Sequence, residues 1–214
     1  MRSGERVPGG WISAEGVRGP GRAQRLTRLR LIHAAAEVAC ETGLGELSRG
    51  RVARAACVSL EDFDAVFADV AACVRAGREE ALRRAAAAAR IAASGDPENH
   101  PQAALDGLLE FAEQQQELAG LCVEMALASG GGNGREREVH AALAPALALV
   151  ARALDLLAEE PALGARLAAR AKLASVAQAA RLTVRLCELR LCEDAPAGLG
   201  LTARGRAFAD LIAA

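Results

Sequence analysis

Apolar positions recur at helical spacing through most of the chain. Leu29, Ile32, Ala36 and Ala39 follow one another at intervals of three, four and three. They lay one apolar stripe along a helix from about Gln24 to Thr42, and Gly43 is a natural stop for it. Ser48 caps a short second helix running through about Ala56, and Cys57-Val58 form the turn after it. Ser59-Leu60-Glu61-Asp62 then reads as a cap with an acid three residues on, opening a third helix that ends near Phe67. Asp69 caps a long fourth helix from Val70 to about Ala93. In its middle Glu79 and Glu80 precede Arg83 and Arg84 by three to four residues, the favourable order for helix pairs.

The stretch SGDPENHP, Ser94 to Pro101, is rich in turn formers and breaks the pattern. A fifth helix from about Gln102 to Gln116 turns Leu105, Leu108, Leu109 and Ala112 inward, and a sixth from Glu117 to Ala128 brings Leu121, Met125 and Ala128 to one side. GGGNG at 130–134 lacks the Gly-Lys-Ser/Thr of a phosphate loop and reads as a linker. A seventh helix over about 135–159 carries Val139, Leu143, Ala146, Val150, Leu154 and Leu157 at spacings of 4, 3, 4, 4 and 3, with Pro145 expected to kink it. An eighth is expected as one helix over about 163–192, with Leu173, Val176, Ala180, Val184, Cys187 and Leu191 on one face and Arg166, Arg170, Arg181, Arg185 and Arg190 mostly elsewhere. Thr202 caps a last helix with Phe208, Leu211 and Ile212. The last two apolar-striped helices need a partner surface. The monomer can supply it internally; a symmetric homodimer bundle through Leu173, Val176, Ala180, Val184, Cys187, Phe208 and Leu211 is the commonest alternative.

Composition agrees with an all-α chain of about nine helices. Ala, Leu, Arg and Glu favour helix, and few β-branched residues and only four Phe, one Trp and no Tyr argue against sheets. The 214 residues, 52% hydrophobic, suffice for one good core or a small module on a larger one. A net charge of −1 demands neither nucleic acid nor a membrane, so local charge decides. The six cysteines form no Cys-x-x-Cys, and most fall on apolar stripes where a free thiol behaves as a small hydrophobe. His33, His100 and His140 stand apart from one another and from the cysteines, so no metal site is expected, and no cofactor. No nucleophile–base pair or nucleotide loop marks an enzyme.

The first residues contain no apolar core of seven or more, unlike a signal peptide. The longest uncharged apolar run, Ala141 to Ala151, is broken by Pro145 and too short to span a bilayer. A soluble, cytoplasmic protein without a membrane partner is the expectation. The many Gly and Pro of residues 1–21 predict a disordered tail.

The segment LIHAAAEVACETGLGELSRGRVARAACVSLEDFDAVFADVAAC resembles the helix-turn-helix of the TetR family of bacterial transcriptional regulators. Leu31-Ile32, Ala34-Ala35, Gly43, Ser48, Val52-Ala53, Ala56, Val58-Ser59, Phe63 and Phe67 fall into the family's register without a gap, over about a fifth of the chain. The resemblance implies a helix-turn-helix DNA-binding domain over 22–70 and a helical ligand-binding and dimerisation domain over 71–214. The candidate DNA contacts are Arg22, Arg25 and Arg28 before and on the first helix, Ser48, Arg49 and Arg51 on the second, and Ser59, Leu60, Glu61, Phe63 and Asp64 on the third, with an ordinary solvated face as the equal alternative for the arginines. The implied partners are a double-stranded DNA operator and an apolar small-molecule effector, in a pocket of Leu105, Leu108, Phe111, Cys122, Met125, Leu143, Leu147 and Val150. The bland alternative for those residues is core packing.

Departures from the family pattern gather at the reading helix. The turn glycine is Cys57, the usual Thr is Asp62, the usual Tyr is Asp64, the His found in some members is Val66, and the usual Lys at the start of the fourth helix is Val70. Acids at Glu61 and Asp62 suit a helix N-terminus, but Asp64 lies beyond the first turn. Against them, residues 18–58 hold eight arginines and three acids, a net +5, while 59–69 net −4. Two functions follow. One is a ligand-responsive DNA-binding repressor. The other is a dimeric ligand-binding or protein-interaction module of the same ancestry that no longer binds DNA alone. They separate on whether Asp62 and Asp64 face the groove or are neutralised by Arg49, Arg51 or Arg54.

Overall fold

The computed structural model describes residues 21–129, 137–159, 164–195 and 198–213. The 1–21 tail, apart from its last residue, and the 130–134 linker lie outside them. The described residues form ten α-helices and one two-stranded hairpin. The helices are α1 (Arg22–Thr42), α2 (Arg49–Ala55), α3 (Leu60–Val66), α4 (Val70–Gly95), α5 (His100–Gln114), α6 (Gln116–Ser129), α7 (Arg137–Glu159), α8 (Gly164–Ala171), α9 (Val176–Glu188) and α10 (Ala203–Ala213). The fold is all-α, as composition and periodicity predict.

The short helices at the N-terminus are set by their caps. Gly43 ends α1 at φ 85°. Ser48 Oγ accepts from the Arg51 N–H at 3.3 Å. Ser59 and Asp62 form a reciprocal capping box, with Ser59 Oγ accepting from Asp62 N–H at 3.0 Å and the Asp62 carboxylate accepting from Ser59 N–H at 3.4 Å. Asp69 Oδ1 accepts from Ala72 N–H at 2.6 Å and starts α4. Between α2 and α3 the chain turns through Cys57 at φ 53°, the left-handed conformation that a glycine adopts without strain. Val58 N–H reaches Ala53 O at 2.9 Å and Cys57 N–H reaches Arg54 O at 3.0 Å, which closes the turn. Cys57→Gly is therefore expected to raise stability by about 0.5–1 kcal/mol, relief of left-handed strain less the added freedom of the unfolded chain. Urea denaturation checks it; a loss of stability would show that the thiol side chain contributes more than its backbone costs.

One continuous core joins these helices to the rest. α1 packs on α2, α3 and α4 and also along α6, where Gly120 lets the helices close: a Cβ there would sit 2.4 Å from Cys40 Sγ. The most extensive helix contact is between α4 and α5. There α4 buries Ala81, Ala85, Ala89 and Ala93 at four-residue intervals, and Gly107 of α5 lies against the Ala88–Ala89 backbone. α7 runs unbroken through Pro145. Its Ala141–Glu159 stretch is long and apolar enough to cross a membrane by length and composition. Here it packs against α4, α5, α8 and α10, burying Leu143, Ala146, Val150, Leu154 and Leu157.

The expected eighth helix is corrected. It stops at Ala171, Lys172 turns through φ 58°, and Ser175 caps a new helix, α9, by accepting from Gln178 N–H at 3.0 Å. Buried Gln178 secures the break: its carbonyl oxygen accepts from Ala174 N–H and its amide donates to Gln102 O, each at 2.8 Å. After α9 the chain forms a hairpin that no periodicity predicted, β1 (Cys192–Ala195) paired antiparallel with β2 (Gly198–Leu201), with Cys192 opposite Leu201 and Asp194 opposite Leu199. Thr202 then caps α10, its Oγ1 accepting from Gly205 N–H at 3.0 Å.

Candidate nucleic-acid interface and apolar chamber

The residues that the helix-turn-helix resemblance assigns to DNA are exposed on α1, α2 and α3 and their caps, with one correction. Phe63 is fully buried, its ring 6.0 Å from that of Phe67, because it occupies the face of α3 turned toward α1 and α2. It builds the module and cannot touch DNA. Leu60, Glu61 and Asp64 are exposed on the opposite side.

Most of the nearby arginines already have partners. Arg49 Nη1 binds Asp64 Oδ1 at 3.0 Å, with both side chains about half exposed (55% and 49%). Arg51 binds the Glu46 carboxylate at 3.3 Å and the Glu46 carbonyl at 3.0 Å. Arg28 lies over the Phe67 ring at 4.9 Å. Arg30 reaches Cys57 O at 3.5 Å. Arg22, Arg25 and Arg54 are exposed and have no partner among the described residues. The acids are accounted for as well: Asp62 caps α3 and Asp64 faces Arg49, which leaves Glu61 as the one uncompensated acid on α3 among the described residues. Residues 22–69 hold seven arginines and seven acids, of which Glu37 and Glu41 line a cleft against α6 and α9, so the segment as a whole has no net charge to attract a polyanion from a distance.

The second site lies behind α4. A chamber of about 500 Å³ opens between α4, α5, α6, α7, α9 and α10. Of the pocket residues expected from sequence, Leu105, Leu108, Phe111, Cys122, Leu143, Leu147 and Val150 line it. Met125 does not; it is half-buried and packs against the core elsewhere. Leu182 and Leu186 of α9 and Phe208, Leu211 and Ile212 of α10 complete the wall. The helical spacing of these residues was visible in the sequence, but no pattern distinguished facing a chamber from facing a second subunit.

That placement corrects part of the expected dimer surface. Phe208 and Leu211 line the chamber, and Leu173 is buried within the protomer. α9 turns Ala179, Leu182 and Leu186 inward, so Val176, Ala180 and Val184 lie exposed on its outer face and Cys187 is half-buried. Arg181 fastens α9 to α5, its guanidinium bound to Asp106 at 2.9 Å and to Glu113 at 2.9 and 3.1 Å. The hydrogen bonds from Arg181 hold the Glu113 carboxyl below the usual carboxylate range.

Among the described residues the only charged ones lining the chamber are Arg78 and Arg185. Arg185 was expected off the apolar face. It also lines a neighbouring polar cleft of about 520 Å³ bordered by α1, α6 and α9, into which Glu37, Glu41, Glu117, Glu124 and Glu188 bring carboxylates. Cys40 in that cleft is no nucleophile at neutral pH: burial, then Glu124 and Glu117, push its thiol up to about 11. Burial pushes the Cys73 and Cys192 thiols up to about 12. None of the six cysteines is in a disulfide, and no cluster of metal-ligating side chains occurs among the described residues. His100 is exposed, away from the chamber wall; the side chain of His140 lies outside the described residues. No protein-family model matches the chain, and no curated protein matches it.

Proposed function

We propose that the chain is a ligand-responsive DNA-binding regulator built like the TetR-type repressors that its N-terminal segment resembles. The observation that carries this reading is the course of α4. It begins at the Asp69 cap directly after α3 and runs without a break to the chamber, where Arg78, Leu82 and Ala85 form part of the wall. A small molecule that fits one position of α4 better than another shifts that helix, and with it α2 and α3, by the difference in its affinity for the two positions. A homodimer would present two α3 helices about one DNA turn apart. The exposed Val176, Ala180 and Val184 face of α9 is what the monomer leaves for that contact.

A second reading has its own support. Arg49 and Arg51 already hold carboxylates, so a phosphate must displace Asp64 or Glu46 to reach them. A module in that state binds ligand and partner protein and leaves DNA to another chain.

Fluorescence anisotropy with DNA from the protein's own upstream region, against a scrambled duplex over a salt series, separates the two. Nanomolar, sequence-dependent binding with a steep salt slope supports the regulator. Weak binding equal for both duplexes supports the second reading. Asp64→Asn, which releases Arg49, is expected to tighten DNA binding severalfold and steepen the log–log salt slope by about 0.9, one added phosphate contact. An unchanged slope would mean that Arg49 does not reach the backbone.

A further inference from the structure

Arg185 stands in the wall common to the apolar chamber and the polar cleft. Its side chain is only 17% exposed, and its terminal nitrogen pairs with Glu188, three residues on along α9. Its Nε is buried with no hydrogen-bond partner. A buried donor in a charged group is satisfied best by an anionic acceptor, and a guanidinium takes a carboxylate through two parallel N–H donors. No acid lines the chamber itself among the described residues.

We infer that the chamber takes an amphiphilic monoanion, with the apolar body among the Leu and Phe side chains and a carboxylate on the Arg185 guanidinium where chamber meets cleft. The inference rests on the reading of the chamber as an effector site. Two features narrow the head group. Across the cleft Glu37, Glu41, Glu117 and Glu124 outnumber the other two arginines, Arg190 and Arg204, the latter already paired with Glu124 at 2.8 Å, so the cleft repels a multiply charged phosphate more than a single negative charge. Glu188, the resident partner of Arg185, is 40% exposed and also accepts from Gln116 Nε2 at 3.0 Å, so it has a second donor in the cleft when a ligand carboxylate takes its place.

The test is isothermal titration of the full-length protein at pH 7.5 with dodecanoate, dodecanol and dodecylamine. Dodecanoate is expected to bind at least tenfold more tightly than the alcohol, and the amine more weakly than either. Arg185→Gln should erase the preference for acid over alcohol while leaving alcohol binding in place. Glu188→Gln, which removes the internal competitor, should tighten dodecanoate severalfold and leave the alcohol unchanged. Equal binding of acid and alcohol, a preference for the amine, or a preference that survives Arg185→Gln overturns the head-group assignment and leaves the chamber reading intact. Binding of none of the three overturns both. Melting temperatures of the two variants, compared with the parent, show that each binding value belongs to a folded protein.

Discussion

Phe63→Ala is expected to destabilise the protein by about 3–5 kcal/mol, the cost of removing a fully buried aromatic ring from a site that cannot collapse around the gap. Phe63 has no exposed surface, and α2 and α3 have only seven residues each, too short to be helical without tertiary packing. The loss is a large part of the roughly 5–15 kcal/mol that holds a typical domain together. For a chain of this size it corresponds to a fall in melting temperature of roughly 6–20 °C. The amides of α2 and α3 should exchange with solvent earlier than those of α7, because the continuous core still anchors α1 and α4 through α6. A variant that melts within 2 °C of the parent, an allowance of about 1 kcal/mol, would place the stability of the N-terminal helices elsewhere.

Gly107→Ala is expected to cost about 2–3 kcal/mol, the reverse of what helix propensity alone gives. A glycine within a helix ordinarily gains about 1 kcal/mol on replacement by alanine. Here the new Cβ would lie 2.4 Å from Ala88 O, 2.7 Å from Ala88 C and 3.0 Å from Ala89 Cα. Those atoms are backbone and cannot rotate away, so α4 and α5 must separate. Gly50 of α2, with nothing within 4 Å of a Cβ, is the control and should gain stability on the same replacement. Chemical denaturation of both variants reads the contrast directly; stabilisation by both would mean that the α4–α5 approach tolerates a methyl group. Because these helices wall the chamber, the Gly107 variant should also bind amphiphiles more weakly.

The parts of this fold that were legible in the sequence are those fixed by local chemistry. Ser48, Ser59, Asp69 and Thr202 each cap the helix that their position announces, and Gly43 ends the first helix, because a side-chain oxygen or a missing Cβ acts within a few residues. The chamber residues were legible for a related reason: a stripe of Leu, Phe and Val at helical spacing must face other helices. What the stripe faces is decided by tertiary packing. Phe208 and Leu211 therefore fitted a dimer seam as well as a chamber wall. The break at Lys172 was hidden because no Gly or Pro marks it; its one local sign is Ser175 followed three residues later by Gln178. The hairpin from Cys192 to Leu201 is too short for alternation to stand out. On the exposed side of α2 and α3, the identity of the acids was plain, but that Asp64 meets Arg49 across fifteen residues depends on how α2 and α3 cross.

The row of Ala81, Ala85, Ala89 and Ala93 has a mechanical consequence. Helices that interlock through Leu or Ile are geared: one cannot travel along the other until bulky side chains change rotamer. Alanine has no rotamer to change. Along this track α4 offers α5 only methyl groups and backbone, so the α4 side of the seam has no rotamer to change during a small axial slip. Resistance to displacement is then lowest along α4 itself, which runs from the Asp69 cap to the chamber wall. If the proposed coupling of chamber and α3 operates, smoothness is as much a property of the linkage as stiffness.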